Sequence, residues 1–145
     1  MASVAQIKKS IADILVEKLP DVDVLYGEFP KGKNIARSWW VSVDGGDAET
    51  YELSTGEGVN IFTFNLTFNV VCSSGPHHKS PYEADTAAYK LAGRVAVALT
   101  GEVNLRLGNY GVQSAIIEGV RRLTEWDTDK SVSVSVVLTV RAEGL

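Results

Sequence analysis

Residues 59–72 read V-N-I-F-T-F-N-L-T-F-N-V-V-C. Asn60 aside, the even positions are apolar: Phe62, Phe64, Leu66, Phe68, Val70 and Cys72. Thr63, Asn65, Thr67 and Asn69 fill the odd positions between them. A period of two over that length specifies a β-strand with one face in a core. A slip of one residue would put every Phe in water, so the register is firmly set. The stretch exceeds the usual ~5–6 residues of a strand, which places it in the middle of a sheet. The other elements have to supply its neighbours and cover its apolar face.

Val4, Ile7, Ile11, Ile14, Leu15 and Leu19 lie on one helical stripe, with Ser3 as N-cap and Pro20 as terminator. A short strand follows over 22–26, then a loop over 27–34. That loop, G-E-F-P-K-G-K-N, lacks the spacing of a phosphate-binding loop. The next strand covers 35–43. Ile35, Trp39, Val41 and Val43 share one of its faces, and Trp40 points the other way with Ser38 and Ser42. Residues 44–58 are rich in Gly, Asp, Glu and Thr and read as an extended hairpin loop into the long strand. Ser80-Pro81-Tyr82-Glu83 is a helix-start signal: a capping Ser, Pro at the first helical position, and a Glu able to complete a capping box. Ala84, Ala88, Leu91, Val95, Ala98 and Leu99 form its buried stripe, and Gly101 closes it. Strands over 112–123, with an irregularity at Gly119, and over 131–142 end the chain. The order α-β-β-β-α-β-β predicts one α+β domain over residues 1–145. It is a two-layer sandwich: a mainly antiparallel sheet of about five strands with two amphipathic helices on one face.

Composition excludes several functions. The net charge of −4 argues against a general nucleic-acid binder, which needs surplus Lys and Arg. A single cysteine, Cys72, forms no internal disulfide, which points to a reducing compartment, and its place on the apolar face makes it an inert core thiol. No apolar run approaches the ~18 residues of a membrane span, and the N-terminal stretch is helical in pattern rather than a signal peptide. His77 and His78 stand side by side in a turn with no metal-ligand spacing around them and read as a solvated pair. Asp44, Asp47, Glu49 and Glu52 cluster without the calcium-loop pattern. No nucleophile elbow, zinc-protease motif or dinucleotide fingerprint occurs, so neither catalysis, cofactor nor metal is expected.

One face of the sheet is unusual. Thr63, Asn65, Thr67, Asn69, Ser133, Ser135 and Thr139 make it polar yet almost uncharged, and Trp40 shares it. Depleted charge with an aromatic suits a protein contact; a plain β surface chosen for strand propensity gives the same residues. Arg121 and Arg122 are adjacent on a strand and present one guanidinium to each face, one of them available to the acidic stretch of a neighbouring copy. The candidate interface residues are therefore Trp40, Asp44, Asp47, Glu49, Glu52, Arg121, Arg122 and Arg141.

The layout resembles a known family over nearly the whole chain. A short helix ending L-P-D-V-D-V comes first, then a hairpin into F-T-F-N-L-T-F-N-V-V. An alanine-rich helix and a closing strand V-S-V-S-V-V-L-T-V-R complete it. This order is similar to the tail terminator (tail completion) proteins of long-tailed bacteriophages and related contractile particles. The resemblance implies a homo-oligomeric ring, typically hexameric, at the head-proximal end of the tail tube. The ring stops tube polymerisation and offers the head or neck a surface. Its implied partners are copies of itself, the tube protein, and sheath and neck or head-completion proteins. DNA is only passing cargo, no membrane is involved, and assembly takes place in the bacterial host cytoplasm before the protein joins the virion. An acidic chain suits a ring around a DNA conduit. Two other readings compete: a neck or head-completion (connector) protein of the same particle, and a small ligand-binding or enzymatic α+β domain.

Overall fold

A computed structural model of the chain describes residues 4–27, 39–56, 59–75, 78–100, 112–123 and 132–143. Helix α1 (Val4–Lys18) buries Ile7, Ile11, Ala12, Ile14 and Leu15, four of which the apolar spacing singles out. Leu19 still donates its N–H to the Leu15 carbonyl at 2.8 Å, and Pro20 stops the helix there. Strand β1 (Asp23–Tyr26) then runs parallel to the start of β2 (Trp40–Gly56). Strand β3 (Val59–Ser73) pairs antiparallel with β2 on one side and with β5 (Ser133–Glu143) on the other. β4 (Val112–Arg122) pairs antiparallel with β5, which gives the order β1-β2-β3-β5-β4. The Phe-rich strand is thus central, as its length requires. The sheet is mixed because β1 and β2 are parallel. Loop 27–34 is described only at Gly27, whose N–H donates to the Val43 carbonyl at 2.7 Å. Residues 35–38, Ser3 and Gly101 lie outside the described residues.

Both helices cover one face. Leu66, Phe68, Val70 and Cys72 of β3 are buried together with Val134, Val136, Leu138 and Val140 of β5 and the apolar stripes of α1 and α2 (Pro81–Leu99). Closing off Phe68 from water contributes roughly 2–3 kcal/mol on its own. Ala84, Ala88 and Ala92 keep α2 low against the sheet. Ser80 caps α2, accepting from the Glu83 N–H at 3.2 Å. The Glu83 carboxylate reaches the Lys79 N–H, at 3.4 Å, one residue before the cap.

One expectation fails. Residues 44–56 are strand, not loop, and β2 spans 17 residues. Gly and Asp are poor strand formers, but strand pairing overrides that local preference. The glycines instead make a bulge: the register shifts between Gly45 and Asp47, where Gly45 and Gly46 have φ of +88° and +108°. A second shift lies between Thr50 and Glu52. Beyond the first bulge the ladder resumes, with Ala48 opposite Leu66 and Thr50 opposite Phe64. The expected irregularity at Gly119 is present, as a register shift between Ile117 and Gly119.

Candidate functional site

The face of the sheet away from the helices collects the candidate residues. Directly opposed residues share a face, so the register reads out its rows. Trp40, Ser73 and Ser133 form one row; Ser42, Val71, Ser135 and Arg121 form the next. Asp47, Thr67, Thr139 and Ile116 make a third. Ser42, Ser73 and Ser135 are buried among taller neighbours, and Ser135 donates to the Asn69 Oδ1 at 3.4 Å. Trp40 is half-buried, while Asp44, Asp47, Ile116 and Arg121 are exposed. The register also sets Glu49 opposite Asn65, Glu52 opposite Thr63 and Arg141 opposite Asn65. Trp40, the four acidic positions of β2, Arg121 and Arg141 therefore share the helix-free face. Acidic positions line β2 at one side of it, and Arg121 stands on β4 at the other, so the face expected to be almost uncharged carries charge of both signs, because residues 44–56 pair as strand instead of looping away.

Arg122 is the exception. Opposite Val134, it turns to the helix side, where its Nη1 lies 3.3 Å from Asp85 Oδ2 on α2. It is spent on an internal pair rather than offered to a neighbour. The two-faced reading of Arg121 and Arg122 is correct, and the helix fixes which of them points outward.

No family model matches the chain, and no curated protein does. Among solved structures, the chain is similar to one titled "Virion of native gene transfer agent (GTA) particle". The two are 16% identical, with a TM-score of 0.47, over 98% of this chain and 92% of the other.

Cys72 and His78 serve the frame. Burial pushes the Cys72 thiol up to about 12, so it stays a neutral core group. His78 is not a solvated residue: its Nε2 donates to the Ser74 carbonyl at 2.7 Å and its Nδ1 lies 3.3 Å from Glu83 Oε1, tying β3 to the first turn of α2. His77 lies outside the described residues. Among the described residues no group of three or more His, Cys, Asp or Glu is placed to hold a metal ion. No helix among them is long and apolar enough to cross a membrane.

Two side-chain clusters carry no local sequence signal, because their partners are distant in the chain. Arg94 on α2 forms a two-point pair with Asp21, at 3.0 and 2.5 Å, and lies over the Trp39 ring with 5.6 Å to its centroid. The hydrogen bond to Asp21 raises its pKa further. Lys8 on α1 lies 4.6 Å from the centroid of the Tyr26 ring and 3.9 Å from Asp44 Oδ1, so the Asp44 carboxylate, although its register position is on the helix-free face, is engaged by a helix residue of its own chain. An open groove of about 670 Å³ runs between the end of α1 and the last turns of α2, with Val97 at its exposed rim.

Proposed function

We propose that this chain is a structural subunit of a phage-like virion: a tail terminator that forms a ring, typically of six, on the tail tube. The observation that carries the reading is the overhang of the β2–β3 hairpin. β5 accompanies β3 only from Thr63, and β1 accompanies β2 only over its first four residues, Trp40 to Val43. Beyond Thr63, Leu53 to Gly56 pair with Val59 to Phe62 as a ribbon that no third strand joins among the described residues. A lone two-stranded ribbon is marginal in water. A ring neighbour or the tube end supplies the missing support. The separation of acidic positions on β2 from Arg121 on β4 across the helix-free face supports the same reading. In this role the ring ends tube growth and receives the neck, as the resemblance to tail terminators implies, without catalysis. The negative net charge of the chain keeps passing DNA from sticking to such a ring.

The test is tail length, by electron microscopy, in particles from a producing host with only this gene inactivated. Overlong or ragged tubes without heads are expected. Tails of normal length beside separate filled heads would instead make the chain a neck protein. Normal infectious particles would refute a structural role and return attention to ligand binding.

A further inference from the structure

Among the described residues the sheet ends in β2, beyond its four pairs with β1, on one side and in β4 on the other. Of β2's 17 residues the first four pair with β1, which leaves 13, from Asp44 to Gly56, without a neighbour on that side among the described residues. At the other side, β4 offers 11 residues with no described strand beyond it. Leu123 donates to the Ser133 carbonyl at 2.9 Å, so its backbone groups and, by alternation, those of Arg121 point to β5. The backbone groups of Val120, by the same alternation, point away from β5. Long open edges are aggregation hazards unless something occupies them.

Strand direction selects the occupant. β2 and β3, β3 and β5, and β5 and β4 are each antiparallel, so β4 runs opposite to β2. A copy related by rotation that continues the same sheet brings its β4 beside this β2 antiparallel, the geometry of a head-to-tail interface that closes into a ring. The lengths match, 11 against 13. Aligning the strand centres brings Arg121 within one residue of Asp47. Setting Arg121 opposite Asp47 puts Glu118 opposite Thr50, so like charges do not face each other. Arg121 opposes Ser135 and Asp47 opposes Thr67, so both lie on the helix-free face, and both are exposed. Resting on the ring reading above, we propose that β4 of each copy pairs antiparallel with the free edge of β2 in the next, Arg121 beside Asp47, so that one continuous sheet runs around the ring.

Disulfide trapping tests this. Because the backbone groups of Arg121 point inward, it meets a new strand in a non-hydrogen-bonded pair, with Cα atoms about 4.5 Å apart, inside the disulfide range of about 4.4–6.8 Å. The double variant Asp47→Cys/Arg121→Cys is oxidised both as purified protein and in assembled tails. A ladder of covalent multimers is expected from it and none from either single variant, with buried Cys72 silent. Arg121→Asp should weaken self-association about fivefold, and Asp47→Arg in the same chain should restore it. Rings seen by native mass spectrometry that stay uncrosslinked, here and in Asp47→Cys/Leu123→Cys, would overturn the edge pairing while leaving the ring intact. A bond to the tube protein alone would also overturn it and give that edge to the tube. A strict monomer absent from tails would remove both readings together.

Discussion

Gly45→Ala probes the bulge on which the long hairpin depends. Gly45 has φ +88°, a region that costs a residue with a Cβ about 1–2 kcal/mol. A Cβ there would lie 2.8 Å from the Thr67 carbonyl oxygen and 3.3 Å from the Phe68 Cα. Both are backbone atoms of the central strand and have no rotamer to move into. Overpacking of that kind adds roughly 1–3 kcal/mol. The sum, about 2–5 kcal/mol, is a large part of the ~5–15 kcal/mol that holds a domain folded. Urea unfolding followed by tryptophan fluorescence reads it as a fall in midpoint of about 1–2.5 M, given a slope of ~2 kcal/mol per M. Gly93→Ala is the control. It lies exposed in the helical interior of α2, where a Cβ meets no atom within 4 Å. Removing glycine's entropy cost there should stabilise by about 1 kcal/mol. If Gly45→Ala leaves the midpoint where it was while Gly93→Ala raises it, the bulge does not have this geometry.

Three further outcomes are expected. Cys72 is held neutral to about 12 against an ordinary 9.0, so its contribution to stability is full below pH 9 and is lost as pH rises toward 12. The slope is at most about 1.4 kcal/mol per pH unit, and pH-dependent unfolding of Cys72→Ala should lack it. Trp40→Ala should weaken self-association in sedimentation while moving the melting temperature by little. A loss of ~3–5 kcal/mol, the scale of a core aromatic, would make Trp40 part of the fold instead. Arg94→Lys gives up the two-point pair with Asp21, and because both side chains are partly exposed the cost should stay below about 1 kcal/mol in a urea titration.

What could be read in advance follows from range. The alternation around Phe68 and the Ser80-Pro81 cap are local signals, and both stand where they point. Arg94 with Asp21 and Lys8 with Tyr26 join residues far apart in the chain, so no periodicity announces them. The acidic positions of β2 are the instructive case. Asp44, Asp47, Glu49 and Glu52 are separated by three, two and three positions. In an unbroken strand of period two, that spacing scatters them over both faces, which is why the stretch resembles a loop. Each spacing of three contains a bulge, one between Gly45 and Asp47 and one between Thr50 and Glu52. A bulge absorbs one extra residue and restores the parity. All four positions therefore fall on the helix-free face, opposite Asn69, Thr67, Asn65 and Thr63. Two irregularities that look like defects in the strand pattern thus place the whole acidic set on the face where Arg121 stands at the far side, and a regular strand of the same composition would not.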